Sequence, residues 1–106
     1  MSSMRDRQEG FEKKFAMDED SKFKAMARRN KLLGLWAAEK LGKTGADADD
    51  YAKEVIRADF AEAGDNDVLR KVRADFDAAG VAQSDQQVRV IMDDLLTTAV
   101  DQIRNT

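Results

Sequence analysis

The chain has 106 residues, of which 42% are hydrophobic and 37% are charged, and its formal net charge is −3 at pH 7. These values predict a single globular domain that buries roughly 60–70% of the surface that its unfolded form exposes. The absence of Cys and His excludes disulfide bonds and thiolate zinc sites and removes the commonest general base, so a binding protein is favoured over an enzyme.

Charge is distributed unevenly along the chain. Residues 1–31 contain nine Lys or Arg and six Asp or Glu, whereas residues 32–106 contain nine and fifteen. A basic front segment on an acidic body indicates an acidic or phosphate-bearing partner or self-association, unless the asymmetry arose by chance. The N-terminus is polar and no run of about 18 apolar residues occurs, so we expect a cytoplasmic protein without direct membrane insertion.

Residues 1–17 precede the main hydrophobic pattern and are mostly polar. Phe11 and Phe15 are four residues apart and therefore share one face of a helix, with Met4 on the same face. Gly10 and the short length make such a helix marginal in water, so we expect a flexible arm that folds as a helix in a partner's groove. The alternative is that residues 1–17 extend the first helix and pack Phe15 onto the body. The basic residues expected around the rim of the groove are Arg5, Arg7, Lys13 and Lys14.

Four amphipathic segments follow the arm. Apolar residues recur at intervals of three and four, acidic or small polar residues open the segments, and Gly ends the first three. The predicted helices span about 18–41, 47–62, 66–79 and 85–104. The four helices predict an all-α fold, and the short connections between them predict an antiparallel four-helix bundle over residues 18–106. The inward residues expected for the first helix are Phe23, Met26, Leu33, Trp36, Ala37 and Leu41.

The first helix carries a cluster of cations, because residues 22–31 contain five Lys or Arg and no acid. Lys24, Arg28 and Lys31 are spaced by four and three and share one helical face. Such a face binds an acidic protein surface or a nucleotide phosphate, unless it is a solvated face balanced by acids of the next helix. The residues of this candidate docking or nucleotide site are Lys24, Arg28, Arg29, Asn30 and Lys31.

Three residues of the first helix have predicted structural roles. Asn30 falls on the apolar stripe, where we expect it to hydrogen-bond a neighbouring backbone or helix cap and fix the register, or less often to contact a ligand. Gly34, in the middle of the helix, indicates close packing of another helix. Trp36 is expected in the core.

Several classes of site have no signal in the sequence. The later helices are acidic, which argues against a helix-turn-helix reader of DNA, and no Gly-rich phosphate loop occurs. The carboxylate pairs Asp49/Asp50 and Asp93/Asp94 are adjacent, so they diverge on a helix and lack metal-site spacing. We therefore expect no nucleic-acid partner, no metal and no required cofactor.

Several stretches resemble the zeta subunit family, the small inhibitor of certain bacterial rotary ATP synthases. The resemblance covers most of the chain, is weak in the last helix and fits the first eight residues least well. The stretches that carry it are FEKKFA (11–16), DED (18–20), RRNKLLGLWAAEKLG (28–42), YAKEVIRADF (51–60), DVLRKVRADF (67–76) and AAGV (78–81).

The resemblance implies a four-helix bundle whose N-terminal segment inserts between the α and β subunits of the motor, near the central γ subunit. There the segment blocks rotation in the direction of ATP hydrolysis, whereas rotation in the direction of synthesis pushes it out. The implied protein is a non-enzymatic inhibitor, monomeric when free and held at the cytoplasmic face of the inner membrane when bound to the synthase. The positions that match the inhibitory segment are Phe11, Glu12, Lys14 and Phe15.

A second function stays open beside inhibition. The stretch from Arg28 to Lys31 matches the most recognisable part of the family pattern, and the resemblance allows a role there in subunit docking or nucleotide contact. The alternative function is a small regulatory bundle that binds ADP or ATP weakly along Lys24, Arg28 and Lys31.

Overall fold

A computed structural model describes residues 18–59 and 66–104. These residues form four α-helices: α1 (Glu19–Lys40), α2 (Gly45–Ala58), α3 (Asn66–Ala79) and α4 (Asp85–Arg104). The predicted all-α four-helix fold is therefore confirmed for this part of the chain, which contains no β-strand. The predicted arm, residues 1–17, lies outside the described residues. None of the four helices combines the length and the apolar character needed to cross a bilayer.

Helix α1 begins at a well-formed N-cap. Asp18 is extended, with φ −74° and ψ 170°, and its Oδ1 accepts a hydrogen bond of 2.8 Å from the backbone N–H of Ser21. The hydrogen bonds that Ser21 donates hold the pKa of the Asp18 carboxyl below its usual value. Because Asp18 has non-helical dihedral angles, α1 starts at Glu19.

Helix α2 begins two residues earlier than predicted, at Gly45 instead of residue 47. The carbonyl oxygen of Thr44 accepts from the backbone N–H of Asp47 at 3.2 Å, so Thr44 is the N-cap. Asp47 lies in the first turn, where a carboxylate is favourable whether or not it caps the helix. The predicted C-terminal end of this helix includes residues 60–62, which lie outside the described residues.

Two glycines end their helices as predicted. At the end of α1, Gly42 has φ +77°, its N–H donates to the Glu39 carbonyl, and the N–H of Lys43 donates to the Ala38 carbonyl at 2.9 Å. At the end of α3, Gly80 has φ +71°, its N–H donates to the Asp77 carbonyl, and the N–H of Val81 donates to the Phe76 carbonyl at 2.8 Å. This is the Schellman arrangement, which requires a left-handed residue and therefore favours Gly.

The core divides into two clusters along α1. The second half of α1 packs with α2, α3 and α4 around Leu33, Val55, Phe76 and Val88, all completely buried. The first half of α1 packs with the end of α4. Each cluster buries the apolar stripe of its helices, which contributes about 25 cal/mol per Å² of apolar surface. The members of the smaller cluster are Ala25, Met26 and Val100, with Leu96 and Ile103 against them.

Helices α1 and α2 approach each other closely at Gly34. A Cβ built on Gly34 would lie 2.5 Å from the Cα of Ala52, which confirms the predicted close packing. Trp36 is only half-buried, and its ring meets the ring of Phe76 edge-on at a centroid distance of 5.6 Å. The sequence predicted Trp36 in the core, but the indole lies at the edge of the larger cluster.

Candidate functional site

The exposed cationic face of α1 comprises Lys24, Arg28 and Lys31. Lys24 Nζ lies 3.1 Å from Asp20 Oδ2, but both side chains are largely exposed, so this pair contributes little to stability. Arg28 and Lys31 have no ion-pair partner within residues 18–59 and 66–104. The acids of α2 therefore do not pair with Arg28 or Lys31, and both side chains are available to an anionic partner.

Arg29, another residue of the predicted candidate site, does not lie on this face. Its side chain is only 2% exposed, and its Nε donates a hydrogen bond of 2.8 Å to Oδ1 of Asn30. Arg29 lies one turn after Ala25 and one turn before Leu33, both fully buried, whereas Arg28 is rotated from it by about 100°. The sequence grouped the two arginines because they are adjacent, but the helix separates them into a surface residue and a core residue.

Asn30 is also buried, at 1% exposure. The sequence predicted that it would bond a neighbouring backbone or cap, but its observed partner is the side chain of Arg29. Within the described residues, every buried side-chain nitrogen and oxygen has a hydrogen-bond partner. Arg29 and Asn30 therefore form a satisfied polar pair inside the bundle, and their side chains are not accessible to a ligand.

Phe23 was predicted to face the core, but its side chain is 62% exposed. It precedes Met26 by three residues, as the apolar spacing requires, but it lies about 160° around the helix axis from Ala25 and about 120° from Arg29, both buried. The first half of α1 packs with the end of α4 on the side of Ala25 and Met26, and Ser21 and Lys22 are partly buried although they precede Phe23. The buried face therefore changes direction along α1, which the spacing of apolar residues did not reveal, and the sequence missed this exposed aromatic ring.

A groove of about 630 Å³ lies at the opposite end of α1 from the cationic face. It contains a single cation, Lys40, and none of the three cations proposed as an anion site. The exposed apolar side chain in it is Val90, at 52% exposure. The residues that line the groove are Trp36, Lys40, Gln83, Ser84, Gln86, Gln87, Val90 and Ile91.

Ser84 forms the predicted N-terminal cap of α4 beside this groove. The Ser84 hydroxyl oxygen accepts from the backbone N–H of Gln87 at 3.1 Å, and the Gln87 side chain accepts from the backbone N–H of Ser84 at 2.8 Å. This reciprocal pair is a capping box. It uses the polar groups of Ser84 and Gln87 for the helix terminus.

A polar cluster joins α2 to α3. The hydroxyl of Tyr51 donates to Oδ2 of Asp75 at 2.8 Å, and Lys71 Nζ lies 3.0 Å from the same oxygen and 5.1 Å from the centre of the Tyr51 ring. Burial, followed by the hydrogen bond to Asp75, raises the pKa of Tyr51 far above its usual value. The phenol therefore stays protonated, which suits a structural hydrogen bond and not acid–base chemistry near neutral pH.

Of the predicted site residues, the structure brings together only the exposed cations of α1. The part of the chain that the structure describes contains no group of three carboxylates arranged to hold a metal ion. The predicted residues of the arm lie outside the described residues; they are Met4, Arg5, Arg7, Phe11, Glu12, Lys13, Lys14 and Phe15.

The chain is similar to known proteins in sequence and in fold. A family model described as ATPase inhibitor subunit zeta matches residues 1–102. A protein with a solution NMR structure is 49% identical, with a TM-score of 0.70, and the matched region covers 78% of this chain and 94% of that protein. Comparison with curated proteins finds no match.

Proposed function

Because the chain belongs to the ATPase inhibitor subunit zeta family, we propose that it inhibits ATP hydrolysis by the catalytic head of a bacterial rotary ATP synthase. One observation carries this proposal: the family match extends over residues 1–102, so it includes both the bundle and the segment before it. An inhibitor that acts by insertion needs both parts, one to enter the motor and one to stay outside.

The proposed mechanism assigns insertion to residues 1–17. This arm folds as a helix in a groove between the α and β subunits beside the γ subunit, with Phe11 and Phe15 as its apolar anchors. Ordering about a dozen residues costs roughly 1–2 kcal/mol each, whereas burying two phenylalanine rings contributes roughly 3–6 kcal/mol. The arm alone therefore binds weakly, and ion pairs and docking of the bundle supply the rest.

The bundle acts as the part that cannot enter. Its larger cluster joins all four described helices around fully buried side chains, and α1 and α2 are in backbone contact at Gly34. Interiors packed in this way resist compression. Rotation that draws the arm inward is stopped by the bundle, whereas rotation in the direction of synthesis pushes the arm out. The protein then acts at the cytoplasmic face of the inner membrane, where the catalytic head is located.

The test is ATP hydrolysis by the purified cognate catalytic head. Full-length protein inhibits, protein lacking residues 1–17 does not, and Phe11→Ala combined with Phe15→Ala abolishes inhibition. A circular-dichroism melt of each variant is the control, because the bundle must keep its melting temperature. Equal inhibition by the truncated protein, or loss of the folded bundle in the double variant, contradicts the arm mechanism. Absence of inhibition by the full-length protein contradicts the function itself.

A second candidate function is weak binding of ADP or ATP by the cationic face. It is supported by the exposure of Lys24, Arg28 and Lys31 and by the lack of acidic partners for the last two within the described residues. Titration with nucleotide, followed by amide chemical shifts, tests it. Shifts confined to these turns of α1, with no effect of the protein on ATP hydrolysis, would favour this function over inhibition.

A further inference from the structure

The groove between the end of α1 and the start of α4 has no role in the proposed inhibition. Its volume of about 630 Å³ lies within the roughly 300–1,000 Å³ that is usual for small-molecule sites. Trp36 of α1 and Val90 and Ile91 of α4 give the groove an apolar wall. Because Val90 is 52% exposed, part of this wall is in contact with water, and a ligand with an apolar body would cover it.

Two polar groups of the groove are hydrogen-bond donors without a partner. Within residues 18–59 and 66–104, neither the ammonium of Lys40 nor the indole N–H of Trp36 forms an ion pair or a hydrogen bond. Since every buried side-chain nitrogen in these ranges has a partner, the indole N–H is accessible to solvent. Both groups donate and cannot accept, so the polar end of a matching ligand is an acceptor. Beside an ammonium, a charged acceptor such as a carboxylate forms the stronger bond.

No Asp or Glu of the described residues lines the groove. Asp85 belongs to the same turn as the groove residues of α4, but its Oδ1 accepts a hydrogen bond of 2.8 Å from Nε of Arg73 in α3. Glu39 precedes Lys40 and is rotated from it by about 100° around the axis of α1. These two carboxylates therefore do not occupy the position of an anionic ligand beside Lys40.

Two further acids fix the orientation of a charged ligand. Asp93 and Asp94 are exposed and follow Val90 by three and four residues, so they lie one turn further along α4. Helices α1 and α4 are antiparallel, because the first half of α1 packs with the end of α4 and the end of α1 meets the start of α4 at the groove. Asp93 and Asp94 therefore lie at the end away from Lys40, where they disfavour an anion.

We propose that this groove binds a small amphipathic carboxylate, with the apolar body against Trp36, Val90 and Ile91 and the carboxylate at Lys40. The ion pair is exposed to solvent, so it sets the preference for an anion and contributes modestly to affinity. The apolar wall supplies most of the binding free energy. The proposal does not depend on inhibition of ATP hydrolysis, because it uses neither the arm nor the cationic face of α1.

The experiment uses the fluorescence of Trp36, which is the single tryptophan of the chain. The probe is octanoate, added to the full-length protein below its micelle concentration. Octanoate produces a saturable change in tryptophan emission and shifts the indole N–H resonance in the NMR spectrum. Octylammonium has the same chain and the opposite charge, so it requires an about fivefold higher concentration for the same effect. Acetate lacks the apolar body and produces no change.

Two variants with matched controls locate the site. Lys40→Gln raises the Kd of octanoate about threefold and removes the preference over octylammonium, whereas Lys43→Gln removes an exposed cation outside the groove and leaves both unchanged. Val90→Gln raises the Kd about fivefold by removing part of the apolar wall. Its control is Thr98→Gln, at an exposed β-branched residue of α4 outside the groove. The melting temperature of each variant stays near the wild-type value, because all four side chains are exposed.

Four results overturn the proposed site. A change in emission that rises linearly without saturation indicates unspecific partition, and equal or tighter binding of octylammonium assigns the groove to a cation. An equal loss in Lys43→Gln indicates general attraction of anions to the protein. A light-scattering mass that falls when octanoate is added assigns the groove to a second copy of the chain. None of these results bears on inhibition of ATP hydrolysis, which is measured separately.

Discussion

The contact between Gly34 and α2 provides the sharpest prediction for stability. In Gly34→Ala the new Cβ would lie 2.5 Å from Ala52 Cα, about 0.9 Å closer than the 3.4 Å at which ordinary contact begins. The obstructing atom is backbone and cannot rotate away, so α1 and α2 must separate. Overpacking of this kind costs roughly 1–3 kcal/mol, and the higher helix propensity of Ala offsets about 1 kcal/mol of that cost.

Because the obstructing atom is backbone, we expect an overpacking cost of about 3 kcal/mol, at the upper end of that range. After the propensity offset of about 1 kcal/mol, Gly34→Ala lowers the free energy of unfolding by about 2 kcal/mol. For a domain of this size the melting temperature then falls by roughly 8–16 °C. Urea denaturation followed by far-ultraviolet circular dichroism measures the first quantity, and a thermal melt measures the second.

Two further variants separate sterics from propensity. Ala74→Gly, at an exposed position of α3, calibrates the propensity difference and is expected to cost about 1 kcal/mol. Ala52→Gly in the Gly34→Ala background removes the Cβ at 3.0 Å but leaves the Cα at 2.5 Å, so it restores little stability. A Gly34→Ala protein as stable as wild type would refute the backbone contact.

Three further predictions concern polar groups. Arg29→Ala leaves the buried Asn30 Oδ1 without its donor and lowers the free energy of unfolding by about 2 kcal/mol or more. Arg28 is exposed, so Arg28→Ala changes this free energy by no more than about 0.5 kcal/mol. Urea denaturation of the two variants measures the difference. Tyr51→Phe loses the bond to Asp75 and costs about 1 kcal/mol. The pKa of Tyr51 is raised in the folded state, so only the unfolded state ionises as pH rises above about 10. The free energy of unfolding therefore falls above that pH. The chain contains a single tyrosine, so tyrosinate absorbance should appear only when the protein unfolds. The pKa of Asp18 is lowered from 3.8 in the folded state. The Asp18 cap therefore contributes its full stabilisation above that value, and this stabilisation is lost as pH falls through the folded pKa. When the melting temperature is measured as pH is lowered, it should decrease less for Asp18→Ala than for the wild-type protein.

The helices could be predicted because their signals are local. Intervals of three and four located the apolar stripes, and Gly42 and Gly80 marked the ends of α1 and α3 because a left-handed residue is needed there. The start of α2 was predicted less well, since Asp47 is favourable in the first turn as well as at the cap. Local chemistry therefore predicted the elements more reliably than their exact ends.

The candidate site was less predictable because it depends on packing between distant parts of the chain. Arg29 looked equivalent to Arg28 in the sequence, and only the position of the neighbouring elements makes one of them a core residue. Phe23 is spaced from Met26 like a core residue, but the end of α4 covers another side of this half of α1. The cationic character of α1 was evident from composition, whereas the exposure of the Phe23 ring became evident only from the structure.

The extended conformation of Asp18 affects how a mechanical load reaches the bundle. An unbroken helix behaves as a stiff rod and transmits bending and twist along its axis. The non-helical dihedral angles of Asp18 end this rod at Glu19, so the stiffness of α1 does not extend past the junction. In the proposed mechanism the bundle therefore keeps its own orientation outside the catalytic head.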